Sequence, residues 1–260
     1  MFHRLMKSSI VAAIAVGSIA SGFATAEEWG TLTGKFVLSD KPPAPAPLAA
    51  AKADAGCAKH TVVDERVTAG EKGELANVFV YLRTKKPAIA PSYKESEKAT
   101  IVLDNKECRF EPHCLVCRVG QTLSVTNSDP FGHNSNIQPF KNKPVNPIIP
   151  AGGAVPVEFT DEETLPTKVG CNIHSWMGGW ILIRKDPYGT VSGKNGAFTI
   201  KDLPAGKELE FQLWHESSGN LKNLTFKGGK ADAKGRFKMT IKPGENDLGE
   251  IKVPLAALNK

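Results

Sequence analysis

The sequence predicts an all-β chain, a Greek-key β-sandwich or barrel followed by a C-terminal β extension or small β-module. Short runs rich in Val, Ile, Thr, Phe and Leu recur along it, each broken by Gly, Pro, Asn or Asp. An Asn195-Gly196 turn signal separates two such runs near the C-terminal end. No internal repeat with a period of about 20 to 50 residues points to a solenoid or propeller.

Taken from the N-terminus, the first segment reads as a secretory leader. Arg4 and Lys7 give a basic start, residues 10–20 are almost unbroken apolar, and Ala24-Thr25-Ala26 offers a small-residue cleavage site. Residues 1–26 are therefore expected to be removed, leaving a mature chain that begins near Glu27. No cysteine sits at the cleavage site to carry a lipid, and no later run approaches the roughly 20 apolar residues of a spanning helix. The expected location is the periplasm or another exported compartment, in soluble form.

Next comes the low-complexity stretch 41–55, KPPAPAPLAAAKADA, read as an extended proline segment running into a short alanine-rich turn or helix. Strands are expected at 31–38, 76–82, 100–103, 114–125, 155–159, 180–183, 197–200, 209–214, 236–241 and 249–253. A boundary is expected at Lys185-Asp186-Pro187, because all five cysteines precede it and no metal-ligand cluster follows. This divides the mature chain into a first domain, 27–185, and a C-terminal module, 186–260.

The formal charge is +6, and loss of the leader's two basic residues lowers it to +4. Lysines are scattered, at 35, 41, 52, 59, 72, 85, 86 and 94 for example, with no basic stripe. Nucleic acid is not an expected partner. Five cysteines is an odd number for an exported chain, where cysteines tend to pair. One is left over for a metal, a reactive thiol or an intermolecular bridge, and Cys171 is the natural candidate.

Cys171 belongs to GCNIHSWMGG, which spaces Cys171, His174 and Met177 three residues apart. A second loop, VTNSDPFGHNSN, ends a strand at Asn127-Ser128-Asp129-Pro130 and presents His133, 38 residues before Cys171. β-sandwiches bring such loops together at one end of the sheets. Two imidazoles and one thiolate in a trigonal set, with a weak axial thioether, make a blue-copper electron-transfer site. The expected ligands are His133, His174 and Cys171 in the equatorial plane and Met177 on the axis.

The order HN, a gap of about forty residues, then CNIHSWM followed by GGWILI, resembles the cupredoxins, the family of plastocyanin, azurin and amicyanin. The short Cys-x2-His-x2-Met loop is most similar to amicyanin. A wider likeness, over most of residues 30–216, is to larger bacterial exported cupredoxins labelled methylamine-utilisation-like. Its stretches are GTLTGKF, LANVFVYL, CRFEPHCLVCRVGQTLSVTNSDPFGHN and the ligand loop. The stretch GAFTIKDLPAGKELEFQLWHE also resembles non-catalytic carboxypeptidase-regulatory, transthyretin-like modules. The resemblance implies that Asn134 ties the ligand loops together. It further implies that the ring edge of His174 reaches the surface as the electron port, with Trp176, Met177 and Trp180 as an apolar docking surface.

Other readings compete. Cys114-x2-Cys117 with Cys171-x2-His174 makes a Cys3His zinc set, although Leu115-Val116 sits in a strand pattern where a zinc knuckle wants a turn. Residues three apart on a strand face opposite ways, so a local Cys114–Cys117 disulfide would distort the ladder. A structural disulfide involving Cys57 and Cys108 is expected, with Cys114 and Cys117 as buried thiols or partners in another pairing. The connectivity stays open at this level. His60 copies a Cys-x2-His spacing with Cys57 but reads as a surface-loop residue, and His113 and His215 read as structural.

The sequence has no His-x-His pair, Gly-x-Ser-x-Gly elbow, His-Glu-x-x-His helix or Cys-x-x-Cys-His haem site. The expected function is therefore a carrier rather than an enzyme. One type 1 copper would pass single electrons between exported redox proteins. The alternatives are a copper-binding or delivery protein and a zinc-stabilised β-sandwich interaction module.

Overall fold

In the computed structural model, Met1 and residues 28–258 are described, so the expected leader lies, apart from Met1, outside the described residues. Among the described residues no helix is long and apolar enough to cross a membrane. The chain is all-β, with 44% of its residues in strands and 5% in helices.

Apolar side chains collect into two main cores. In the first, strand Trp29–Leu38 runs antiparallel to Ala197–Pro204 and parallel to Gly244–Val253. It buries Leu32, Phe36 and Leu38 on one parity, as a half-buried strand requires. Gly34 falls on the same inward parity, where a Cβ would lie 2.7 Å from the Phe198 ring. A second sheet, ordered Gly189–Val191, Phe79–Leu82, Glu208–His215, Gly219–Asn220, has Arg236–Thr240 paired to its third strand. Phe36, Val80, Tyr188, Phe211, Phe237 and Ile251 pack together between them.

The second core lies between two four-stranded sheets. One is ordered Ala154–Glu158, Thr122–Asn127, Thr100–Lys106, Arg109–Glu111; the other Cys114–Arg118, Gly178–Arg184, Thr167–Gly170, Asn136–Ile137. Leu103, Leu123, Val125, Ile137, Val169 and Ile181 fill it, and Cys171 and Met177 belong to the same cluster.

The two cores divide the chain differently from the single boundary expected at 185–187. Members of the first lie at 32–82 and 188–258, members of the second at 103–183. The second unit is thus inserted between Leu82 and Tyr188. Sheet pairing is non-local, so the partners of residues 29–38 and 79–82 lie more than 100 positions downstream, where no local composition shift reveals them. At the crossing point the buried Arg184 donates to Leu82 O and to Asp186 Oδ2, each at 2.8 Å.

One local expectation is corrected. Residues 114–125 form two strands, not one, because Gly120 turns the chain at φ 95° while Arg118 N–H donates to Gln121 Oε1 at 2.7 Å. The proline-alanine stretch runs into the short helix Ala49–Ala53, as expected. Cys114 and Cys117 do face opposite ways. Cys117 enters the second core, whereas Cys114 joins Phe79, Tyr81, Leu182 and Trp214 in the contact between the two units.

Candidate metal centre

Local turn chemistry presents each half of the site. Strand Thr122–Asn127 ends where Asn127 Oδ1 accepts the Asp129 N–H at 3.0 Å, and its Nδ2 donates to Phe131 O and Ile149 O at 2.7 and 2.9 Å. This side chain replaces the sheet bonds that the turn forgoes. The chain then re-enters a short ladder in which His133 pairs with Ile149 and Asn134 with Ile148. His133 is fully buried.

The other half is a hairpin loop. Thr167–Gly170 and Gly178–Arg184 pair antiparallel up to Gly170 and Gly178, and residues 171–177 span the gap. Inside it Cys171 N–H donates to Met177 O at 3.3 Å and Met177 N–H to His174 O at 2.9 Å. Asn134 joins the loops: its Oδ1 accepts the N–H of Asn172 at 2.8 Å and of Ile173 at 3.2 Å, and lies 3.4 Å from Cys171 Sγ.

The loops bring three donor atoms together. His133 Nδ1 and His174 Nδ1 each lie 3.9 Å from Cys171 Sγ and 2.9 Å from one another. An ion bound at about 2.0 Å to nitrogen and about 2.3 Å to sulfur separates three trigonal donors by about 3.5 to 3.7 Å; the two N···S edges here, at 3.9 Å, are close to that, and the N···N edge, at 2.9 Å, is shorter. Behind His133, Asp129 Oδ2 lies 2.9 Å from Nε2. A carboxylate there favours the proton on Nε2 and leaves Nδ1 a bare lone pair. Two imidazole nitrogens and a buried sulfur facing one another form a donor set that could hold a metal ion. Burial lowers the His133 pKa most, Asp129 opposes that, and His174 lowers it further, so the ring is neutral and able to ligate. The His174 N–H donates to Cys171 Sγ at 3.4 Å, a contact that steadies negative charge on the sulfur. Met177 is buried in the same cluster as Cys171.

One expected feature and one competing reading are not found in this arrangement. The ring edge of His174 does not reach the surface: the residue is 5% exposed, with Phe131 and Trp176 rings 5.7 and 5.2 Å away and Asp54 Oδ2 3.7 Å from Nε2. Residues 48–62 cover it, an intrusion from a segment over 100 positions upstream. Nor does a Cys3His set assemble. Burial pushes the Cys117 thiol up to about 12, and burial with Glu216 and Glu65 nearby raises Cys114 well above the usual thiol range. Neither joins a cluster of metal donors among the described residues.

Cys57 and Cys108 are joined by a disulfide. A second donor cluster, Asp54, Cys57 and His174, is therefore deprived of its thiolate. His60 joins no donor cluster among the described residues. His113 pairs with Glu216 and, at 3.6 Å, with Glu65, while burial drops the His215 pKa to about 4. Sequence reasoning missed Asp129, Asp54 and Phe131. Asp129 carried a signal, a carboxylate four residues before His133; Asp54 carried none.

With the geometry established, the chain can be set beside known proteins. Its likeness is to cupredoxins, over part of its length. It is similar to a copper-containing nitrite reductase (NirK) from Thermus scotoductus SA-01, at 20% identity and a TM-score of 0.30, covering 40% of this chain and 25% of the reductase. A purple cupredoxin from Nitrosopumilus maritimus matches at 25% identity and a TM-score of 0.27, covering 33% of this chain and 99% of its own. A point mutant of amicyanin in its Cu(I) form matches at 18% identity and a TM-score of 0.29, covering 40% of this chain and 97% of its own. No family model and no curated protein matches the chain.

Proposed function

We propose that this chain is an exported mononuclear copper protein of the blue-copper kind, carrying single electrons between exported redox proteins. The observation that supports it most is the buried triangle of two imidazole Nδ1 atoms and one cysteine sulfur. His133, Cys171 and His174 would hold the ion, with Met177 as a weak fourth ligand. Copper, when bound, supplies one-electron chemistry, and thiolate with imidazole suits both of its common oxidation states.

The protein's own residues do the rest. Asp129 fixes the tautomer and orientation of His133, Asn134 locks one loop to the other, and the His174 N–H steadies charge on Cys171. The sheets on either side keep the loops from relaxing when the charge at the site changes. A carrier rather than a catalyst is supported by the single Cys-His-Met loop and by the lack of any His-x-His pair in the sequence.

Adding Cu(II) to the purified mature protein should give intense blue or green thiolate-to-copper absorption, abolished by Cys171→Ala. A colourless protein holding stoichiometric zinc overturns the reading.

A further inference from the structure

Residues 48–62 lie over the site without belonging to either ligand loop. Their two ends are drawn together by the Leu48 N–H donating to Val62 O at 3.0 Å. Helix Ala49–Ala53 runs into a turn in which Asp54 Oδ1 accepts the N–H of Gly56 and of Cys57, at 2.9 and 3.0 Å. The middle is fastened by the Cys57–Cys108 disulfide to the turn between strands Thr100–Lys106 and Arg109–Glu111. Ala51, Cys57, Val62 and Cys108 form a small apolar cluster with Phe131 and Trp176 packed against it. These are the two aromatic rings that flank His174. Gly56 presses so closely on Phe131 that a Cβ would lie 2.7 Å from its ring. Trp176 Nε1 donates to Cys108 O at 3.3 Å, tying the ligand loop to the same staple.

Asp54 is held with one oxygen engaged in its own turn and the other facing His174 Nε2 at 3.7 Å. The site thus has two-sided symmetry. Asp129 stands behind the Nε2 of His133 and Asp54 behind the Nε2 of His174, while both Nδ1 atoms face Cys171. At 3.7 Å the Asp54 contact is longer than a hydrogen bond, so it acts on His174 through charge and cover.

We propose that residues 48–62 are a disulfide-fastened cap that closes the His174 edge of the site, and that Asp54 is a positioning residue for His174. The placement of the cap stands on the geometry; the effect on copper rests on the function proposed above. While the cap is closed, a partner protein cannot touch the His174 ring. The exposed apolar residue of the ligand loop is Ile173, at 57% exposure.

Two measurements on the full mature chain test this. In the metal-free protein, carbethoxylation of His174 by diethyl pyrocarbonate, mapped by mass spectrometry, should be slow relative to the urea-unfolded chain. The Cys57→Ser/Cys108→Ser variant should react roughly tenfold faster or more, because protection follows the opening of the cap. His174 that reacts in the wild type as fast as in the unfolded chain overturns the cap. In the copper-loaded protein, Asp54→Asn should raise the reduction potential and weaken copper binding roughly threefold or more, as loss of a nearby charge does, with Asp54→Glu restoring much of both. Asp54→Asn that leaves His174 protected, and potential and affinity unchanged, overturns the positioning role. A wild type that takes no copper removes the function proposed above, and the carbethoxylation result still decides the cap.

Discussion

His133 and His174 stand 41 positions apart in the chain, yet their Nδ1 atoms lie 2.9 Å from each other, with Cys171 Sγ 3.9 Å from both. Neither loop fixes this distance alone. It depends on the two sheets that carry the loops and on the Asn134 side chain, whose oxygen accepts two N–H groups of the opposite loop.

Asp129 is expected to matter to the metal although it does not face it. Its carboxylate accepts the N–H of Glu107 and Cys108 and orients the His133 ring. Asp129→Asn should weaken copper binding roughly 10- to 100-fold, as loss of such a partner typically does. Competition with a chelator of known affinity measures it, and an unchanged affinity would remove Asp129 from the account.

Met177 should prove dispensable for binding and decisive for tuning. Met177→Leu conserves volume in the core, so its stability cost should stay below about 1.5 kcal/mol. Copper and the thiolate absorption should persist while the reduction potential rises, since the weak axial ligand tunes it. Voltammetry beside thermal melting separates the two effects.

His113 and Glu216 link the units: His113 precedes strand Cys114–Arg118 and Glu216 follows strand Glu208–His215. Burial opposes charge on His113, but Glu216 and Glu65 outweigh it and hold its pKa up at about 9. This stabilisation is fully present below the ordinary histidine value of 6.5 and is lost as pH rises through about 9. The Glu216 pKa is lowered, so its share is present above the ordinary value of 4.5 and is lost on acidification. Removing one member of a buried pair costs roughly 3 kcal/mol. The melting difference between wild type and His113→Gln should therefore be largest near about pH 5 to 6.5 and shrink toward about pH 9. A difference independent of pH would show that the pair contributes no linked stability.

Deleting residues 187–260 should not release an intact copper domain from the rest. It strips strand Trp29–Leu38 of both its neighbours and Phe79–Leu82 of Glu208–His215, exposing Leu32, Phe36, Val80 and Leu82. Aggregation on size-exclusion chromatography is the expected result, and a monodisperse truncated chain would contradict the inserted arrangement.

Much of the strand content was legible because these segments are short runs rich in Val, Ile, Leu and Phe, bounded by turn-forming residues. Residues 100–103, 155–159, 180–183 and 209–214 each fall inside or within one residue of an observed strand. The two-residue strands His133–Asn134, Asn136–Ile137 and Ile148–Ile149 were not legible, because pairs so short carry no period and owe their conformation to the partner opposite. The strand at 114–118 read as continuous with its neighbour because both of its faces are buried, so only Gly120 marked the turn.

The sequence by itself determined the all-β class and which donor atoms the two loops carry. Residue type sets what a side chain can ligate, and the hairpin loop 171–177 holds Cys171 and His174 by local bonds. Tertiary structure alone decided that the first strand belongs with the last, that Asp54 closes the edge of His174, and that Cys114 faces a different core from Cys117. These are contacts between segments far apart in the chain, chosen by which apolar faces must cover one another, and no local pattern encodes that choice.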